Sequence, residues 1–226
     1  MLTTKSEKAD ILTGLKSGAN DYIKKSFDND ELYARIRVGQ RTIDLQASLY
    51  EVRQTLAHLA THDLLTGIMN RRAILEQLIK ELARARRINQ SGEAARLSIG
   101  FIDIDRFKQI NDKSGQQAGD EVLKWIAKIL TSQLQAYDTI SRLCGDEFVV
   151  VAVGTDEINC KHLFEILLAE VSNSKIMTGT EELPVSVSKG VTQCKPDDEV
   201  DQFLEIADAA MFKAKRDGGN RVVCVR

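Results

Sequence analysis

The segment Arg142-Leu-Cys-Gly-Asp-Glu-Phe148 constrains this chain more than any other: two apolar runs, 139–142 and 148–153, flank a short turn with two adjacent carboxylates. Such a pattern predicts a β-hairpin. Gly145 suits a backbone that must take positive φ or come close to a ligand. Asp146 and Glu147 stand where a plain hairpin favours Asn-Gly. Acidic residues are common in turns, so the hairpin alone does not define a site.

A second acidic position changes the balance. Asp103 and Asp105 end a strand expected over 96–104, and Ile99, Phe101 and Ile102 make that strand nearly continuously apolar, as a central strand should be. Alternation puts Asp103 and Asp105 on one face. A carboxylate at the end of a central strand, beside a turn with two more, suits Mg²⁺, which takes hard oxygen ligands and shares them with substrate phosphates. Two such ions can clamp the attacking and leaving oxygens of a phosphoryl transfer.

Around these strands the pattern predicts helices over 72–87, 119–134, 159–171 and 201–216, and further strands over 185–194 and 221–225. With one hairpin adjacent in sequence, this is an α/β (α+β) domain with a mixed, largely antiparallel sheet flanked by helices, not a Rossmann fold. Upstream, 9–17 reads as a helix stopped by Gly18, 21–23 as a short strand, and Asp28 or Asn29 as the cap of a helix from Glu31. That helix extends as a stalk. Leu45, Leu49, Val52, Leu56 and Leu59 are spaced by four, three, four and three, the seam of a two-helix coiled coil. The same spacing fits one amphipathic helix packed on its own domain; the coiled coil is the stronger reading, because a free helical linker with an apolar seam needs a partner.

The chain has 226 residues and a net charge of −2, so no broad basic field points to nucleic acid or to an anionic membrane. Its four cysteines form no CxxC pair and read as reduced thiols of the cytoplasm. No stretch approaches the roughly 20 apolar residues of a membrane span, and the first eight residues lack the apolar core of a signal peptide.

In order along the chain, the hairpin turn, His62-Asp-Leu-Leu-Thr-Gly-Ile-Met-Asn-Arg-Arg72, Phe101-Ile-Asp-Ile-Asp-Arg-Phe-Lys108, Asn111-Asp112 with Gly115 and Ala118-Gly-Asp120, and Ala207-Asp208-Ala-Ala-Met-Phe-Lys-Ala-Lys215 resemble the GGDEF family of diguanylate cyclases over about residues 62–226. The resemblance implies a nucleotidyl-cyclase-like fold and the condensation of two GTP into cyclic di-GMP by a homodimer with Mg²⁺ (or Mn²⁺). It implies that Asp103, the carbonyl of Ile104 and Asp146 hold the ion, with Glu147 assisting at a second metal or near the attacking hydroxyl. Asp146 becomes a candidate for activating the 3′-hydroxyl, and Lys108 and Lys215 meet the phosphates. Asn111, Gln116 and Asp120 lie in the guanine-binding segment. A carboxylate such as Asp120 accepts from guanine N1 and its exocyclic amine, a donor pair adenine lacks. Each lysine could equally be a solvated surface charge, and Asp120 a charge favoured near a helix N-terminus.

The chain departs from the family at several places. Cys144 replaces the first Gly of the turn, Gln116 a common His, and Gly219 the usual Arg of Gly-Arg-Asn. The Arg-x-x-Asp of product inhibition reads Gln135-Ala-Tyr-Asp138 here, so feedback through it is expected to be weak or absent. Met1-Leu-Thr-Thr-Lys and Gly18-Ala-Asn-Asp-Tyr-Ile-Lys-Lys25 resemble the last third of a response-regulator receiver domain. Thr3 matches its switch threonine and Lys25 its active-site lysine, with Ser26 where Pro is usual. The expected organisation is a partial receiver over 1–46, a coiled-coil linker over 47–61 and a cyclase domain over 62–226. Besides an active cyclase, a GTP or cyclic di-GMP sensor without turnover and a dimerising scaffold remain open.

Overall fold

The computed structural model describes residues 2–3, 8–21, 23–24, 28–155, 157–178, 181–195 and 198–225. The chain divides into two compact units, residues 1–57 and 58–226.

In the first unit, β1 (Leu2–Thr3) pairs in parallel with β2 (Ile23–Lys24), and α1 (Lys8–Lys16) connects them, ending before Gly18 at φ +96°. Lys25 and Ser26 lie outside the described residues. Helix α2 (Asn29–Thr61) then runs through Gly39 and across residue 46 without a break. None of its residues is buried, and the seam residues Leu45, Leu49, Val52, Leu56 and Leu59 are 43–71% exposed.

The second unit adds β3 (Met69–Asn70), α3 (Arg71–Gln90), β4 (Leu97–Ile104), α4 (Phe107–Ser114), α5 (Gln116–Gln133), β5 (Thr139–Cys144), β6 (Glu147–Val153), α6 (Glu157–Asn173), β7 (Ile176–Thr178), β8 (Glu181–Leu183), β9 (Val187–Gln193), α7 (Val200–Arg216) and β10 (Val222–Val225). Six of these strands form one sheet in the order β10-β9-β4-β6-β5-β3. The β9-β4-β6-β5 pairs are antiparallel and the two outer pairs parallel, which is the mixed, largely antiparallel sheet expected. β7 and β8 form a separate small hairpin.

Strand β4 is buried at all eight positions, as its unbroken apolar run requires. Its period of two divides the core. Leu97, Ile99 and Phe101 join residues of α3 and α7 on one face, while Ile102 and Ile104 join residues of α5 and α6 on the other. Asp103 continues the first set, so the apolar face toward α7 ends in a carboxylate. Helix α7 lies directly on β9, because a Cβ at Gly190 would run into the α7 backbone at Ala207 and Met211. No helix among the described residues is long and apolar enough to cross a membrane.

One core position breaks the apolar pattern. Lys189 on β9 is fully buried, and its Nζ donates to the Phe164 carbonyl at 3.2 Å. Burial holds its amine well below the ordinary 10.5. Below pH 10.5 the unfolded chain therefore binds a proton that the folded chain resists, so this residue costs stability progressively as pH falls from 10.5 toward the folded value. Lys189→Met should raise the melting temperature at neutral pH by several degrees, each kcal/mol being worth roughly 2–4 °C in a domain of this size. The gain should shrink above pH 10.5. Thermal melts of both proteins between neutral and alkaline pH check this, and an unchanged or lower melting temperature at neutral pH would refute it.

Candidate active site

The acidic hairpin is held from two sides. Gly145 takes φ +49° at the turn, and a register shift between Arg142 and Cys144 brings Cys144 opposite Glu147. Arg142 Nε donates to the Gly145 carbonyl at 2.8 Å, and its Nη1 reaches Asp63 Oδ1 at 3.2 Å. Asp63 in turn accepts from the Thr66 amide and hydroxyl at 2.9 and 2.7 Å. Burial alone would raise the Asp63 carboxyl, but the Thr66 donors and the Arg142 guanidinium outweigh it and hold the group below the ordinary range. Cys144 fits without strain, since it is not among the residues at positive φ. Its Sγ donates to Glu147 Oε2 at 2.9 Å, and that bond, with burial, pushes the thiol up to about 11.

Strand pairing sets Asp103 of β4 opposite Glu147 of β6. Asp103 is 4% exposed, and its Oδ2 lies 2.5 Å from Lys215 Nζ on α7. Its Oδ1 is buried with no hydrogen-bond partner among the described residues. Burial, opposed by Lys215 and reinforced by repulsion from Asp146 and Glu147, raises its carboxyl to about 6. Burial also raises Asp146, outweighing its own backbone amide and Lys215, and Glu147 pushes it further in the same direction. Asp208 is raised by burial and then by Glu147. Several carboxylates thus lean on one lysine, and the cluster is short of positive charge.

Such a corner fits a hard divalent cation, with the orphaned Asp103 Oδ1 as the oxygen that most needs one. Among the described residues no three His, Cys, Asp or Glu side chains form a ready-made cage. Mg²⁺ tolerates this, because it keeps several waters and completes its shell with substrate phosphates.

The structure therefore brings Asp103, Asp146, Glu147 and Lys215 together, with Ile104 buried beside Asp103. No hydrogen bond or ion pair among the described residues ties Lys108, Asn111, Gln116 or Asp120 to that cluster; they lie on α4 and α5. Lys108, Gln116 and Asp120 are exposed, and Asn111 is half-buried. Asp120 lies beyond the first turn of α5, where the helix dipole has largely faded. A Cβ at Gly119 would collide with the Asn111 side-chain amide, so the bare α5 backbone is what gives Asn111 its place. Asp105 has different partners from Asp103: it accepts from the Ser186 and Ser188 hydroxyls and the Asn220 amide. Asp138 accepts from the Gln135 and Val153 amides, which ties both of its oxygens to local backbone.

Sequence reasoning assigned no role to Asp63, Arg142 or Asp208. The first two lie 79 positions apart; the His62–Met69 bridge ties Asp63 to β3, and the parallel pairing of β3 with β5 brings it to Arg142. Arg142→Ala removes the cation beside Asp63, which keeps its Thr66 donors, and the side-chain donor to the Gly145 carbonyl, and should cost about 1–3 kcal/mol. Amide exchange at Gly145–Glu147 should speed up more than exchange in β4. Equal exchange at the turn in parent and variant would show that Arg142 does not hold it.

Comparison with known proteins places this geometry. The family described as "Diguanylate cyclase, GGDEF domain" matches residues 60–221. Diguanylate cyclase DgcP of Pseudomonas aeruginosa is 37% identical over 163 residues, 72% of this chain and 24% of that protein. Response regulator PleD of Caulobacter vibrioides is 34% identical over 225 residues, 96% of this chain and 47% of that protein. The chain thus spans less than half the length of these relatives. Among solved structures, the coiled coil and GGDEF domain of DgcB from Caulobacter crescentus, in complex with c-di-GMP, superposes with a TM-score of 0.76 at 27% identity, covering 85% of this chain and 99% of that one. Diguanylate cyclase SiaD of Pseudomonas aeruginosa, solved with its activator SiaC, gives 0.70 at 32% identity, covering 87% and 74%. With its carboxylate hairpin, its Asp103–Lys215 corner and these matches, the chain belongs to the GGDEF family of diguanylate cyclases.

Proposed function

We propose that the chain is a diguanylate cyclase that condenses two GTP into cyclic di-GMP and two pyrophosphates. The observation that carries this reading is the buried, half-paired Asp103 carboxylate facing Asp146 and Glu147 beside Lys215. Each 3′-hydroxyl oxygen attacks the α-phosphorus of the other nucleotide. The bond to pyrophosphate breaks with its electron pair, and the hydroxyl proton is lost. Mg²⁺ (or Mn²⁺), when bound, lowers the pKa of that hydroxyl and neutralises phosphate charge. Asp103, the Ile104 carbonyl, Asp146 and Glu147 are its ligands in this reading. Asp146 is a candidate to receive the proton. Lys215 and Lys108 meet phosphate charge, and Asn111, Gln116 and Asp120, with Gly145 at the turn, position the nucleotide.

One such corner binds one GTP, so two copies must face each other to react. We assign residues 47–61 to a coiled-coil linker that pairs them, a reading supported by the exposed seam on α2 and by the coiled coil in the DgcB structure. Residues 1–46 we read as the C-terminal part of a receiver domain, supported by similarity to a response regulator over 96% of the chain, and residues 62–226 as the cyclase domain in the cytoplasm.

Incubating the protein with GTP and Mg²⁺ and resolving products by chromatography tests this. The parent should release cyclic di-GMP, and Asp146→Ala should lose roughly 10²-fold or more of that rate. A parent that dimerises and binds GTP but yields no product would leave the sensor reading instead.

Gly119 gives a second test. In a helix interior Gly→Ala ordinarily stabilises by roughly 0.5–1 kcal/mol. Here the added methyl must displace Asn111. Gly119→Ala should therefore raise KM for GTP about tenfold and narrow the preference for GTP over ATP, without a matching fall in melting temperature. Steady-state kinetics with both nucleotides decide it, and an unchanged KM would remove Asn111 from guanine binding.

A further inference from the structure

A cavity of about 910 Å³ opens beside the Asp103–Lys215 corner, between α4, the end of α6 and the segment 182–186. Its volume suits a small-molecule ligand. Lys215 belongs to both places: it lines the cavity and pairs with Asp103.

The charges in its wall do not cancel. Arg106, Lys113, Lys175 and Lys215 face Asp105 and Glu182. Lys175 pairs with Glu182 at 2.9 Å, and Asp105 is already bonded by two hydroxyls and an amide. Among the described residues Arg106 and Lys113 have no acceptor. Arg106 also holds a left-handed backbone, φ +57°, which costs a non-glycine residue roughly 1–2 kcal/mol. The opposite wall offers Lys215 but no charge at Gly219, where the family usually has Arg. Gly219 sits at φ +74°, and a Cβ there would stand 3.1 Å from the Asp105 carboxylate.

We propose that Arg106, with Lys113 about two turns further along the same side of α4, holds the two terminal phosphates of the bound nucleotide and the pyrophosphate it becomes. This rests on the cyclase reading. There the reacting α-phosphate lies at the carboxylate corner, and the rest of the triphosphate extends past Lys215 into the cavity. When the bond from α-phosphorus to the bridging oxygen breaks, pyrophosphate keeps the electron pair. A guanidinium meets that growing charge with two parallel hydrogen bonds, which an ammonium cannot do.

Titration calorimetry in Mg²⁺ separates the possibilities. The probes are 3′-deoxy-GTP, which lacks the attacking hydroxyl, GMP and inorganic pyrophosphate. Arg106→Ala should weaken 3′-deoxy-GTP and pyrophosphate about tenfold or more and leave GMP unchanged, since hydrogen bonds to charged groups are worth about that much. Arg106→Lys should recover part of the loss. Arg106→Gly should lose the same binding while its melting temperature holds or rises, because glycine relieves the left-handed backbone. The proposal falls if Arg106→Ala binds 3′-deoxy-GTP and pyrophosphate like the parent, or if it weakens GMP equally. A parent that binds pyrophosphate through Arg106 but not 3′-deoxy-GTP would sustain the cavity assignment and sink the cyclase reading. A parent that binds neither would sink both.

Discussion

A carboxylate that is buried, half-paired and crowded by like charges is unstable by itself, and much of the domain is arranged around keeping one. Asp103 ends the most buried strand of the sheet, where water cannot screen it. One oxygen has Lys215, and the other has no partner among the described residues. An unpaired buried oxygen costs about 1–3 kcal/mol. Such a cost persists in a folded protein where the missing partner arrives with function, and a phosphate-bound cation is the partner whose charge and hardness fit.

Two remote features make that corner possible. Gly190 lets α7 lie directly on β9, and this close approach sets the depth from which Lys215 reaches Asp103. On the other side, the Asp63–Arg142 pair fixes the far strand of the hairpin, so Asp146 and Glu147 meet Asp103 through the β4–β6 register and not through a free loop. The site is thus built on strands and one helix, the more rigid elements available, with only the turn itself to be pinned. Cys144 in that turn is compatible with this construction. Its backbone asks for no glycine, and its thiol gives Glu147 a hydrogen bond.

The strands and long helices were legible because their signal is local. β4 and β6 show as apolar runs, α3, α5 and α7 as apolar residues at helical spacing, and the hairpin as two runs around Gly145. Helix α4 was not, since Phe-Lys-Gln-Ile-Asn-Asp-Lys-Ser has only two apolar residues, Phe107 and Ile110, too few to show a period. Two-residue β3 and the β7–β8 hairpin are too short to carry a period. Lys189 misleads in the opposite direction: a lysine in a strand reads as a solvent-facing position, yet the sheet places it against α6. Of the residues gathered at the corner, Asp103, Asp146 and Glu147 were legible from the strand and the hairpin turn, and Lys215 only from the resemblance to the GGDEF family. The Asp63–Arg142 contact and the left-handed Arg106 were not, because both depend on how distant segments meet.

The stalk follows from the same chemistry. In the proposed reaction a single corner binds one nucleotide and has no second hydroxyl to deliver. Two free domains would have to meet by diffusion in the right orientation, whereas tethering replaces that encounter with an effective concentration set by the linker. A rigid helix serves this better than a flexible chain, because it limits orientation as well as distance. Helix α2 carries five apolar seam residues, each at least 43% exposed, with no core of its own to bury them. In the cyclase we propose, burying that seam against an identical helix removes apolar surface from water and tethers a second copy of the carboxylate corner. In that reading one driving force provides both the stability of the stalk and the pairing that the proposed reaction needs.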